Sequence, residues 1–387
     1  MLVAVAGIVI GLSWGGHPSW LPAPLRSLFV DQTTNERRVQ AVMDLLARDY
    51  YRPVDTRKLV NVGLQAAVAS LDDPYSHYYP PNQYRSFLDE TNPQVSGIGV
   101  EVVKVPRGLR VEEVFTGSPA RRAGLVRGDL ITAVGSVSLR GRSSAEASAL
   151  IKGRPGTKVT LSILHDGRLR QVSIVRRTVT VPVAASSLLR YRGLRLGDLT
   201  FTSFTQGSAS ELRGQVKKML SAGAQGLILD LRDNGGGLLQ EAIKVASLFI
   251  ADGTIVTTRG RDQPTVVYTA LGGAIAPRIP MVVLVDRGTA SSAEIVTGAL
   301  KDRGRAKVVG TRTYGKGVFQ EIQNLPGGGA LDITVGEYFT PNGQNLGGGG
   351  VREGRGIKPN VYAYDNPQDP GRHALAVGER VLASELR

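Results

Sequence analysis

The stretch "IPMVVLVDRGTASSAEIVTGAL", Ile279 to Leu300, decides the fold. Its apolar run reads as a buried strand over 280–286, the small residues after it as a turn, and the chain from about Ser292 as a helix. "GLILDLRDNGGGLLQEAIKVASLFI" repeats the pattern, with a strand over Gly226–Leu231, a glycine turn and a helix from about Leu238. "RAKVVGTRTYGKGVFQE" adds a strand over Lys307–Gly310 and the turn "TYGKG". Strands alternating with helices specify a parallel sheet. Its crossovers are right-handed, and its functional groups gather beyond the carboxyl ends of the strands. All three turns should therefore open on one crevice.

A serine at a strand-to-helix turn meets unpaired backbone N–H groups and the positive end of the helix dipole. Such donors stabilise an oxyanion, and the glycines of "DNGGG" let a substrate approach their own N–H groups. A nucleophilic serine also needs a base. The four histidines, His17, His77, His165 and His373, are scattered and lie in no suitable turn. Lys316, 25 residues after Ser291, returns to the same sheet edge after one helix and one strand.

Lysine is a base only when neutral, and burial against apolar neighbours favours that form. The glycines on either side of Lys316 permit burial and place no acidic side chain beside it. If the chain leaves this turn as a strand, Lys316, Val318 and Gln320 share a face, and Gln320 can hydrogen-bond the amine. Taken singly, Ser291 and Ser292 read as helix caps and Lys316 as a solvated turn residue. Their joint occurrence favours a site.

The rest of the composition narrows the chemistry. The 387 residues are 42% hydrophobic and 21% charged, which is globular, and have length for two or three domains. Net charge is +14, but without a long basic block interleaved with aromatics the excess reads as an Arg-rich exterior, not a nucleic-acid surface. With no cysteine, disulfides, thiolate chemistry and cysteine zinc sites are excluded, and no histidine spacing suggests a metal. No metal and no organic cofactor is implied. The opening "MLVAVAGIVIGLSW" is short for a membrane span but suits the apolar part of a signal peptide or anchor over 1–30. Export and an extracytoplasmic location (periplasmic, cell-envelope or secreted) follow as expectations, although the basic residues that normally open such a segment are missing.

Helical periodicity runs from Asn35 to Leu88 and ends in the turn-forming "LDDPYSHYYPP". Short strands and turns then fill Gly97 to Val179. Within them "SPARRAGLVRGDLITAVGSVSL" resembles the most recognisable run of a PDZ domain. In that family a loop ahead of the second strand binds the terminal carboxylate of a peptide, and "GIGV", Gly97, Ile98, Gly99 and Val100, occupies its place. Glycines let successive N–H groups converge on an anion while the peptide adds a strand beside Val100–Val103. The helix around Ser144–Ile151 is the expected second wall of the groove.

With the PDZ-like run in place, "DLRDNGGGLL", "GTASSAEIVTGALKDRGRAKVVGTRTYGKGVFQ" and the later "YFTPNGQ" and "GIKPN" together resemble the carboxyl-terminal processing peptidases, tricorn-related serine proteases with a Ser-Lys dyad. The resemblance extends over roughly Asn35 to Val361. It implies Ser291 as nucleophile, Lys316 as base, Gln320 as orienting amide, and an oxyanion hole from Ser292 with Gly236 or Gly237. Asp302 matches an acidic position of lesser weight. The chain departs from the family with "TASSAEI" for "SASASEI", which makes Ser292 a rival nucleophile, and with Lys152 and Asn360 where Arg and Asp are usual.

The implied architecture is α+β and multidomain: a helical N-terminal region over 31–92, a PDZ β-sandwich-like module over 93–180, a ClpP/crotonase-like α/β protease core over 181–365 and a C-terminal helix over 366–387. The implied activity is endopeptidase cleavage near the C-termini of protein substrates captured by their free carboxyl ends, with a membrane tether and a homodimer as further expected associations. Two other functions fit parts of the chain: a non-catalytic peptide-binding scaffold, and a crotonase-like acyl-transfer enzyme.

Overall fold

The fold comes from a computed structural model, and the described residues are 34–91, 94–364 and 372–386. The expected signal or anchor segment over 1–30 lies outside them. Among the described residues no helix is long and apolar enough to cross a membrane.

The centre is a six-stranded sheet in the order Ala184–Tyr191, Leu194–Phe201, Gly226–Asp230, Met281–Val285, Lys307–Gly310 and Val361–Tyr362. The first two strands form an antiparallel hairpin, and every later neighbour is parallel. Parallel strands are covered on both faces, which explains why Met281–Val285 is buried throughout. The helices Ser208–Ser221, Leu239–Ala246 and Ser292–Asp302 contribute to a core with Phe201, Leu229, Val283 and Val308. Helix Arg372–Glu385 covers the other face, packing Ala374, Val377 and Leu382 with Leu196, Ile228, Val282 and Leu284.

Asp198 lies in this sheet with its Oδ1 buried and unpaired. Burial pushes its carboxyl up to about 6, with the charge of Asp230 adding and Arg232 opposing. A carboxyl raised in the fold holds its proton where the unfolded chain has lost it. Its contribution to stability is therefore full below the ordinary carboxylate range and lost as pH rises through about 6. Asp198→Asn, which removes this titration, is expected to raise the melting temperature at pH 8 and leave it little changed at pH 4. Equal shifts at both pH values, read by calorimetry, would show that the burial of Asp198 has no such effect.

A second, antiparallel sheet contains Val318–Asn324, Ala330–Phe339, Thr254–Arg259 and Val266–Thr269. Its remaining strand, His77–Tyr79, comes from the helical N-terminal region and pairs with Ala330–Asp332. Helix Thr56–Ala69 is started by Asp55, whose carboxylate accepts the N–H groups of Arg57 and Lys58. This helix buries no residue, and Val39, Val42, Leu45, Val60, Val62 and Leu64 are exposed along it and along helix Thr34–Asp49.

In the chain, between the helical N-terminal region and the parallel sheet, comes an antiparallel module ordered Val100–Val105, Gly108–Val114, Leu130–Val134, Lys158–His165 and Arg168–Val175, with helix Ser144–Ile151. Its own core contains Leu109, Val111, Ile131, Leu161 and Ile163. The chain enters and leaves it through two paired strands, Gln94–Gly97 and Arg177–Thr180.

Candidate active site

The three sequence turns meet at the carboxyl edge of the parallel strands, and hydrogen bonds join them. Thr289, wholly buried, donates its hydroxyl to Leu231 O at 2.8 Å, and its carbonyl accepts Tyr314 N–H at 2.9 Å. Ala290 N–H donates to Asn234 O at 2.9 Å. Asp286 Oδ1 accepts the N–H groups of Asp233, Gly288 and Thr289.

Glu294 ties the serine and lysine turns most directly. It stands one helical turn into Ser292–Asp302 and is 0% exposed. Its Oε2 accepts Ser291 N–H and Lys316 N–H, both at 2.9 Å. Oε1 accepts Thr313 Oγ1–H at 2.5 Å and Gly315 N–H at 2.7 Å. Thr313 Oγ1 is itself the acceptor for Ile357 N–H, so its proton is directed at Glu294. Burial raises the Glu294 carboxyl, and the four donors oppose that rise by favouring the anion. The sequence reading did not single out this residue. A Glu three positions after a helix-starting Ser reads locally as a cap, whereas three of its four partners lie 19 to 22 residues away.

The two serines have different environments. Ser292 is 1% exposed, and its hydroxyl donates to Gly237 O at 2.7 Å. Ser291 is partly exposed and has φ 54° and ψ −119°, a conformation that L-residues rarely adopt and that neighbouring structure must hold. Gly236 lies against both: a Cβ there would sit 2.8 Å from Ser291 Cβ and 2.9 Å from Ser292 N. Only glycine leaves this space open, and φ +98° requires it as well. Gly236 N–H is already donated to Asn234 Oδ1 at 2.9 Å, whereas Gly237 N–H has no partner among the described residues.

Lys316 is partly buried, and desolvation lowers its amine from the usual lysine range, outweighing the charges of Asp332 and Asp73. Its Nζ lies 4.5 Å from the ring centroid of Tyr75. Among the described residues it makes no hydrogen bond to Ser291 or Gln320. Gln320 donates its amide to Thr334 Oγ1 at 3.0 Å. Between Phe319 and Gln320 the pairing shifts register, with Val335 of the facing strand left without a partner in this pairing, so the bulge lies opposite these two residues. Asp302 accepts Asn342 N–H at 3.0 Å and so closes the "TPNGQ" turn.

Gly97, Ile98, Gly99 and Val100 all line a groove of about 480 Å³, opposite Ser148, Ile151 and Lys152. The carbonyls of Ile98 and Gly99 accept Ala120 N–H and Phe115 N–H at 2.8 and 3.1 Å, which fixes the loop. Gly99 has φ +77°, and a Cβ there would collide with Ser118. The groove extends past the module to Val181, Pro182 and Thr202. Among the described residues no cluster of acidic and histidine side chains could hold a metal.

Comparison with known proteins agrees with this division of the chain. The profile of Peptidase family S41 matches residues 195–363, that of the PDZ domain residues 96–175, and that of the activating protease CtpB N-terminal domain residues 24–82. A probable CtpA-like serine protease of Staphylococcus aureus (strain COL) is 34% identical over 337 residues, which is 87% of this chain and 66% of that protein. A probable CtpA-like serine protease of Staphylococcus epidermidis is 32% identical over 333 residues, again covering 66% of its own length. This chain thus spans slightly under two thirds of those relatives. The photosystem II D1 C-terminal processing protease superposes with a TM-score of 0.53 at 27% identity, covering 92% of each chain. Residues 195–363 thus belong to Peptidase family S41 and residues 96–175 to the PDZ domains, and the chain as a whole is similar to serine proteases of the CtpA and C-terminal processing type.

Proposed function

We propose that the protein is a serine endopeptidase in which Ser291 is the nucleophile and Lys316 the base, and that it cleaves proteins near a C-terminus held by the PDZ groove. The observation that carries this reading is the shared hold of Glu294 on the N–H groups of Ser291 and Lys316. It brings an accessible, strained serine and a desolvated lysine to one crevice, beside a glycine turn able to receive an oxyanion. In the reaction Lys316 removes the Ser291 proton as the hydroxyl attacks the carbonyl. The acyl-enzyme then forms as Lys316 passes that proton to the departing amine, and water releases it with Lys316 taking a proton from the water and returning it to Ser291. Ser292 N–H and Gly237 N–H are the donors best suited to the oxyanion, with Gly236 keeping the space clear. The Ser291–Lys316 hydrogen bond forms as substrate fills the crevice, since catalytic contacts commonly tighten on binding. Gln320 orients Lys316 after exchanging its bond to Thr334.

We further propose an extracytoplasmic location with an N-terminal tether, on the strength of the apolar opening sequence. The exposed apolar residues of Thr34–Asp49 and Thr56–Ala69 suit a homodimer contact. Incubating unfolded secreted proteins with wild type and Ser291→Ala, followed by mass spectrometry, tests the activity. Products confined to wild type support it, whereas unchanged substrate in both leaves a peptide-binding scaffold. Capture is tested separately with a fluorescent peptide ending in an apolar residue. Because charge-assisted hydrogen bonds are worth about 1.5–3 kcal/mol, amidating its terminus is expected to weaken binding roughly 10- to 100-fold. Equal affinity of acid and amide would remove carboxylate capture from the reading.

A further inference from the structure

Lys316 has glycine on both sides, so the adjoining residues of its turn offer no side chain to keep water from Nζ. Cover comes from a part of the chain more than two hundred residues away. Tyr75, in the "DDPYS" turn after helix Thr56–Ala69, presents its ring to Nζ at 4.5 Å from the centroid. Several bonds fix this ring. Its hydroxyl pairs with that of Tyr314 at 2.9 Å. Asp73 accepts Tyr75 N–H at 3.1 Å and Ser76 Oγ–H at 2.6 Å, and Ser76 Oγ accepts Thr334 N–H at 3.0 Å. The next residues, His77–Tyr79, join the second sheet as a strand on Ala330–Asp332.

We propose that Tyr75 is a positioning residue for Lys316, its ring forming the wall that keeps water from Nζ, so that the helical N-terminal region completes the peptidase site. The proposal rests on Lys316 being the base. The ring attracts an ammonium through its quadrupole, but less strongly than the water it displaces would solvate one. Other groups around Lys316 and this wall are Asp73, Asp332, His77, Tyr314 and Glu294. Asp73 and Asp332 favour the charged amine, and burial outweighs them. Removing the wall admits water, lets the two carboxylates prevail and returns the proton to Lys316. Tyr75 itself stays neutral, because burial and the bond to Tyr314 raise its hydroxyl above the usual tyrosine range.

The test is kcat/KM of the full chain on a fluorogenic peptide over roughly pH 6 to 10, which reports the base of the free enzyme. Tyr75→Ala is expected to lose about 10- to 100-fold near neutrality, with the gap closing toward the ordinary lysine range of about 10.4. Tyr75→Gln fills the space but brings a polar amide to Nζ, and is expected to behave like the alanine variant even if the latter folds poorly. Tyr75→Phe and Tyr75→Leu keep an apolar wall and are expected to retain the wild-type profile. An unaltered profile in the Ala and Gln variants, a gain of activity in them, or an equal defect in Phe overturns the proposal, whatever happens to melting temperature. Lys316→Ala and Ser291→Ala are run alongside. Cleavage surviving in Lys316→Ala removes the base and Tyr75's role with it, whereas inactivity there with a normal Tyr75→Ala profile removes only the latter.

Discussion

Ser291→Ala is expected to lower cleavage by about 10⁴-fold or more, since losing a nucleophile removes the covalent route entirely. Ser292 cannot take over. Its hydroxyl is buried and committed to Gly237 O, and reaching a substrate would mean breaking that bond and leaving the first turn of its helix. Ser292→Ala keeps its backbone N–H and should retain most activity, with about 1 kcal/mol of stability lost from the missing hydrogen bond. Ser291→Gly makes a sharper test. Glycine adopts φ 54° and ψ −119° without strain, so this variant should gain about 1 kcal/mol in stability while remaining inactive. Kinetics and thermal melts on the three proteins decide the matter. Wild-type turnover in Ser291→Ala sinks the assignment.

Glu294→Ala should be the most damaging change that removes no proposed reacting atom. It leaves four donors, from Ser291, Lys316, Thr313 and Gly315, without their acceptor. At about 1–3 kcal/mol for each buried unpaired group, with partial relaxation, a loss of roughly 4 kcal/mol is expected. Activity should fall about 100-fold or more even at temperatures where the variant stays folded, because small displacements of reacting groups are costly. The loss should fall on kcat, since the peptide groove is a separate feature. Glu294→Gln keeps the shape but turns an amide N–H₂ toward some of these donors, and should lie between wild type and alanine. A folded Glu294→Ala with normal kcat would show that the carboxylate supports the fold alone.

Much of this arrangement could be read from the chain. Apolar runs and glycine turns gave the strands that end at Asp230, Val285 and Gly310 to within a residue, because buried parallel strands leave an unbroken apolar signature. The helix Ser144–Ile151 and the groove lined by Gly97 to Val100 were legible through the resemblance of "SPARRAGLVRGDLITAVGSVSL" to a PDZ domain. What escaped was long-range. The bulge at Val335, opposite Phe319 and Gln320, depends on cross-strand pairing, and nothing in "GKGVFQ" announces it. Glu294 resembles a local cap, and Tyr75 meets a partner 239 residues away. Side chains that bridge distant turns leave no periodicity behind.

The adjoining entry and exit strands of the PDZ module make it a cassette. Gln94 faces Thr180 across the ribbon, so the two ends of the excised piece are already neighbours and a short splice could close the gap. Under the proposed activity, modules of different taste could thus be exchanged on an unchanged peptidase core, and preference for one tail over another could evolve apart from the chemistry of cleavage.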